Sequence, residues 1–166
     1  MNDECSDAKY VDRRRFMSAA IDAAHNGIGE GQTPFGACVV RGDEIIAVAH
    51  NEVWKRCDST AHAEVIAIRA ACEALDTIDL SSCEIYSTCE PCPMCFAACH
   101  WAKIERIVFG ASIADAKAAG FSEMEISNER MKELGPSSVE LAGGFMREQC
   151  ASLFDIWKTA VDSRAY

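Results

Sequence analysis

Apolar residues recur at close to helical spacing over residues 10–26, at Val11, Phe16, Ala19, Ala20, Ala23 and Ala24. Gly27 and Gly29 are expected to end that helix. Residues 35–41 and 44–50 are two β-rich runs around Gly42-Asp43, which predicts a hairpin. Thr60 is placed to cap a helix over 61–75, with Val65, Ile66, Ile68 and Ala71 on its buried side. Residues 83–88 read as a short strand. Pro91 then opens a helix over 92–102, because proline is tolerated at a first helical position. A strand over 106–110 and an irregular stretch with helical pieces over 111–136 follow. A last strand over 138–141 and a last helix over 145–161 complete the pattern.

Helices alternating with single strands imply parallel pairs covered on both faces. The expected fold class is therefore α/β: a three-layer α/β/α sandwich on a mixed five-stranded sheet. The 166 residues suit one domain, taken as 1–166, large enough to bury a core without disulfides.

Composition narrows the classes of function. Hydrophobic residues make up 49% and charged residues 25%, which are ordinary globular values. No apolar run approaches the roughly 18 residues of a spanning helix. Met1 to Lys9 is polar and acidic, unlike a secretory leader, so the expected location is the cytoplasm. Asp and Glu number 26 against 16 Lys and Arg, a formal net charge of -10. Nucleic-acid backbones are bound through Lys and Arg, so this balance disfavours nucleic acid and favours a small, weakly charged ligand. In a cytoplasmic chain the ten cysteines are expected to stay reduced, most of them as small buried hydrophobes.

Two segments carry chemistry: Thr60-Ala61-His62-Ala63-Glu64 and Glu90-Pro91-Cys92-Pro93-Met94-Cys95. Cys92 and Cys95 are three apart in the first turn of a helix and share a face. The positive end of that helix favours thiolates, the form that binds metal. His62, in the first turn of its own helix, can reach past the helix end. His62, Cys92 and Cys95 thus suggest one tetrahedral zinc with its fourth position open to water, as in a catalytic site. Zinc lowers the pKa of its water from 15.7 to about 7. Glu64 is the spare carboxylate, suited to take the proton of that water and deliver it to a leaving group.

A different class of function competes for the same cysteines. Cys89, Cys92, Cys95 and Cys99 have the spacing of a bacterial ferredoxin cluster run, which would imply electron transfer. Against it, His100 follows the run where proline is expected, and no second run exists. Cys89 also precedes the helix while Cys99 lies two turns inside it.

Histidine-x-glutamate followed by Pro-Cys-x-x-Cys is the pattern of zinc deaminases. From about Arg14 onward the chain resembles the cytidine deaminase-like superfamily. In that superfamily zinc hydroxide attacks an amidine-like ring carbon and ammonia leaves. Pro34-Phe35-Gly36-Ala37, His50-Asn51-Glu52 and the two metal segments resemble its purine-deaminating branch, which holds guanine deaminases and tRNA adenosine deaminases. Ala119-Gly120-Phe121-Ser122-Glu123 and the ending Phe154-x2-Trp157-x8-Tyr166 are similar to the guanine deaminase group.

That resemblance implies conversion of guanine to xanthine and ammonia. It implies a purine pocket of Phe35 packing on the ring, Asn51 hydrogen-bonding the base, and Ala63. Glu123 would read the amidine or imide edge and help move protons. It implies a homodimer in which the segment 145–166, a helix and tail, is exchanged between subunits so that Tyr166 closes the partner's pocket. Departures concern the substrate. Gly31-Gln32-Thr33-Pro34-Phe35 is about one residue longer than the expected Gly-Gly-Pro-Phe, and Ser122-Glu123 stands where two aspartates are more common. Val139-Glu140-Leu141 and Glu148-Gln149-Cys150 are similar to the tRNA enzymes. Guanosine, cytosine, an aminotriazine and the tRNA wobble adenosine are the alternative substrates. From Leu141 onward three basic residues (Arg147, Lys158, Arg164) meet three acidic ones (Glu148, Asp155, Asp162), which disfavours RNA.

Overall fold

The computed structural model describes residues 4–122, 124–161 and 163–166, with side chains described from Arg13 onward. A five-stranded sheet carries the domain, in the order β2-β1-β3-β4-β5. The strands are β1 (Gly36–Arg41), β2 (Glu44–His50), β3 (Glu84–Cys89), β4 (Arg106–Ala111) and β5 (Glu140–Ala142). β1 runs antiparallel to both β2 and β3, while β3, β4 and β5 are parallel. The expected mixed sheet and its hairpin are therefore present.

Two helical layers cover it. The first helix, α1 (Glu4–Gly29), packs on β1, β2 and β3, beside the last helix, α7 (Arg147–Lys158), which lies on β4. On the other face α3 (Ala63–Leu75) packs on β1 and β2 and touches α4 (Pro93–Trp101). Three short helices complete the order: α2 (Val53–Arg56), α5 (Ile113–Ala119) and α6 (Asn128–Leu134). The core between the layers holds Met17, Val39, Val40, Ile85, Tyr86, Ile107 and Leu153.

The helix ends differ from the sequence expectation. α1 continues through Gly27, where glycine serves packing: a Cβ there would lie 2.9 Å from His50 Nδ1. Thr60 does not cap α3. Its N–H and hydroxyl both bond Asp58 Oδ1, at 2.8 and 2.7 Å, and His62 becomes the N-cap. α4 likewise starts later, with Cys92 as N-cap and Pro93 in the first turn. A close approach sets α7 on β4. A Cβ on Gly110 would collide with Cys150 Sγ, so only glycine lets the helix sit at this depth.

No helix among the described residues is long and apolar enough to cross a membrane.

Candidate metal and active site

The N-termini of α3 and α4 meet beyond the end of β3. His62 and Cys92 each hold the cap position with extended backbone, φ -68° and -62°. Neither side chain caps its own helix, so both can turn to a common point. His62 Nδ1 stands 3.6 Å from Cys92 Sγ and 3.5 Å from Cys95 Sγ. A tetrahedral zinc with bonds of about 2.0–2.1 Å to nitrogen and about 2.3 Å to sulfur separates those ligand atoms by roughly 3.5 Å. The donor set fits that ion in chemistry and in spacing. The candidate metal-binding group found among the described residues is this one, His62, Cys92 and Cys95, with ligand atoms within 4.8 Å of one another.

The electrostatics point the same way. The Cys92 thiol is drawn down to about 4, chiefly by the hydrogen bond from Cys95 and then by His62, against the opposing effect of burial. The bond to Cys92 and burial push Cys95 up. Their contacts thus favour the thiolate form at Cys92 over Cys95, and a divalent cation held between them would favour it at both. Cys99 does not join them: it is buried in the core, and burial pushes its thiol far up. Cys89 instead points its Sγ at the Ser112 carbonyl at 3.4 Å. The four-cysteine run does not converge.

Glu64 is buried beside the three ligands. Its Oε1 accepts from Ser87 Oγ at 3.0 Å, and its Oε2 lies 3.4 Å from Cys95 Sγ. Burial raises its carboxyl above the ordinary value, and the Cys92 thiolate adds to this against the pull of His62 and Ser87. A carboxylate whose proton affinity is lifted by burial suits proton transfer near neutrality. Ser87 was not read from the sequence. No signal in β3 singled it out, because Glu84, Tyr86 and Thr88 make the strand polar throughout.

Over the site lies the end of the same chain. Asn51 Nδ2 donates to Tyr166 Oη at 2.7 Å, and Asn51 Oδ1 accepts from Val53 N at 3.1 Å. The Tyr166 ring sits 5.6 Å from the His62 ring and 5.9 Å from Phe121. Trp54 straps the tail, donating Nε1–H to Arg164 O at 3.1 Å while the Arg164 guanidinium stacks 3.9 Å above its ring. A cavity of about 230 Å³ remains, lined by Ser59, His62, Cys92, Pro93, Met94, Ser122, Met124 and Tyr166.

The remaining expected pocket residues divide. Ala63 is buried in the first turn of α3, next to His62. Phe35 is also buried, with its ring 4.8 Å from Phe121 and 5.8 Å from Phe154. Glu123 lies outside the described residues. Met94, Met124 and Trp54 carried no sequence pattern that marked them out.

A three-ligand zinc set with a buried carboxylate at its side, at the mouth of a covered α/β sheet, defines a hydrolytic metal enzyme. Residues 11–111 match the cytidine and deoxycytidylate deaminase zinc-binding region family, and the chain belongs to it. It is therefore a zinc-dependent deaminase. Guanine deaminase of Bacillus subtilis is 35% identical over 157 residues, covering 94% of this chain and 100% of that protein. A tRNA-specific adenosine deaminase of the same organism is 36% identical over 138 residues, 83% of each chain. The solved guanine deaminase of Nitrosomonas europaea is 30% identical and superposes with a TM-score of 0.79, over 86% of this chain and 82% of that one.

Proposed function

We propose that this enzyme hydrolyses guanine to xanthine and ammonia. The observation that carries this reading is Tyr166 bonded to Asn51 above His62, which leaves a cavity of about 230 Å³. Sites for drug-sized ligands run to about 300–1,000 Å³, so this space suits a single heterocycle. An RNA loop would have to displace the tail. The full-length similarity to a guanine deaminase supports the same choice.

Zinc, when bound by His62, Cys92 and Cys95, supplies a Lewis acid that lowers the pKa of a water to about 7. Glu64 then moves protons twice. It takes a proton from the water adding to guanine carbon 2 and places it on ring nitrogen 3. It next takes the proton of the new hydroxyl to the amino nitrogen, the carbon–nitrogen bond breaks, and ammonia leaves as carbon 2 becomes a carbonyl. Ser87 holds the Glu64 carboxylate between transfers. Asn51 and Ala63 bind the base, Phe35 packs on its ring, Glu123 reads the base edge, and Tyr166 excludes water. The active form is a homodimer in which the segment 145–166, seated on its own chain in this structure, makes the same contacts on the partner subunit; an active 18.1 kDa monomer in sedimentation would refute the exchange.

Ammonia release from guanine by the zinc-loaded protein, with Glu64→Gln as the blank, tests the reaction. Release by the wild type alone supports it. Turnover of guanosine, cytosine, an aminotriazine or tRNA adenosine in its place overturns the assignment of guanine.

A further inference from the structure

Glu90 and Asn128 take no part in the chemistry above, yet both are buried. Polar groups at that depth need partners. Glu90 stands between the end of β3 and Pro91-Cys92. Its Oε1 accepts the backbone N–H of Asn128 at 2.8 Å, and its Oε2 that of Ile113 at 3.3 Å. These are the first residues of α6 and α5. One carboxylate therefore satisfies an open N–H at the start of each helix.

Asn128 answers in the other direction. Its Nδ2 donates to Pro91 O at 2.6 Å. The opposite amide orientation would set two oxygens against each other, so the donor is fixed by its partner. Its Oδ1 is buried with no partner among the described residues. An orphaned acceptor is costly, and a serine or alanine here would avoid it. What the amide gives in return is the bond to the residue before Cys92.

The two ends of this strut are unequally held. On the cysteine side, Glu90 N–H also bonds Ala111 O at 2.8 Å and Phe96 N–H bonds Cys92 O at 2.9 Å. On the other side, Asn128 is the one buried residue of α6. The connection between α5 and α6 carries Ser122 and Met124 into the cavity wall.

We propose that Asn128, with Glu90, is a positioning residue that holds the Ser122 and Met124 wall of the pocket in register with Cys92. It touches neither substrate nor metal and acts through the Pro91 carbonyl and the start of α6. The choice of guanine as kinetic probe rests on the function proposed above; the strut itself does not.

The test uses the zinc-loaded full chain with Asn128→Ala and Asn128→Leu, the latter keeping the branched outline of the side chain, at a somewhat larger volume, while removing the donor. Both variants are expected to raise KM for guanine about tenfold, with kcat and bound zinc within twofold of wild type. Amide hydrogen exchange without substrate is expected to rise in peptides spanning 120–127 and to stay unchanged in β3 and β4. Glu90→Gln, which sets an amide NH2 against one of the two backbone donors, should move the same readouts the same way. Loss of zinc, a fall in kcat at constant KM, or unchanged exchange over 120–127 would overturn the proposal. So would an effect in Asn128→Ala that Asn128→Leu lacks, since that marks lost volume rather than a lost bond. Absence of guanine turnover in the wild type would refute the assigned substrate, while the exchange measurement would still judge the strut.

Discussion

Asn51 and Tyr166, 115 positions apart, are joined by a 2.7 Å hydrogen bond from the asparagine amide to the phenol oxygen. The amide expected to bind the base is thus engaged by the chain's own last residue. Substrate entry has to exchange one partner for the other. Tyr166→Phe keeps the ring contacts to His62 and Phe121 and removes only the acceptor. We expect KM for guanine to fall several-fold in Tyr166→Phe, because Asn51 no longer has to be released, and kcat/KM to fall at least tenfold when Tyr166 is deleted and the cover over the site is lost. Melting temperature should move little in either, because Tyr166 is only partly buried and sits at the edge of the core. Steady-state kinetics beside thermal melts check this.

Glu64→Gln removes a proton carrier and leaves a side chain of the same shape that can still accept from Ser87. Positioned acid–base groups contribute about 10²–10⁴-fold, and turnover should fall by that range. Zinc content should stay near one per chain. Near-normal turnover would dismiss Glu64 as the proton carrier.

Metal removal separates two roles of cysteine. Chelation should abolish turnover reversibly while far-UV circular dichroism stays unchanged, because the core lies between the sheet and its helices. Cys92→Ala should not retain zinc. Cys99→Ala should retain it, since Cys99 packs in the core rather than at the ligand cluster. Metal analysis of the two purified variants decides the point; loss in both would restore the four-cysteine reading.

Asp115 supplies a pH-dependent contribution to stability. It completes the capping box of α5, accepting from Ser112 N and Oγ, both at 2.8 Å, and it pairs with Arg147 of α7 at 2.7 Å. Burial acts to raise its carboxyl, but the Ser112 bonds and Arg147 outweigh that and hold it below the ordinary value. A depressed folded pKa gives stability that is present above the unfolded value and is lost as pH falls through the folded one. Asp115→Asn should therefore cost about 0.3–1 kcal/mol at pH 7, the usual size of a lost negative charge in the first turn of a helix. The difference from wild type should shrink on acidification below about pH 4, near the unfolded carboxyl value. Denaturant titrations at both pH values measure it.

The hairpin and the His62, Cys92, Cys95 and Glu64 set were legible because each rests on local chemistry. β-rich runs around Gly42-Asp43 need no distant information, and metal ligands betray themselves by residue type and spacing. The helix starts were misjudged where a competing local bond intervened. Thr60 has the side chain of a cap but is engaged by Asp58 two residues earlier, which passes the cap position to His62. That displacement serves the site, since a cap residue stands outside the helical cylinder and can face a second helix. Ser87, Met94 and Trp54 were not legible, because their relevance comes from juxtaposition across the fold. The same holds for Glu90 and Asn128, joined by a bond between positions 38 apart.

The seat of Cys150 against Gly110 fixes the phase of α7 on the sheet. Beyond it the helix runs to Lys158, and a short tail reaches Tyr166. An α-helix advances about 1.5 Å per residue and completes a turn in about 3.6 residues. One residue inserted after Cys150 would therefore swing the tail through more than a quarter turn, well beyond the reach of a hydrogen bond. α7 works as a ruler, with its zero at Gly110 and its mark at Asn51. Chain length between those points is consequently under the same constraint as the identity of the tyrosine itself.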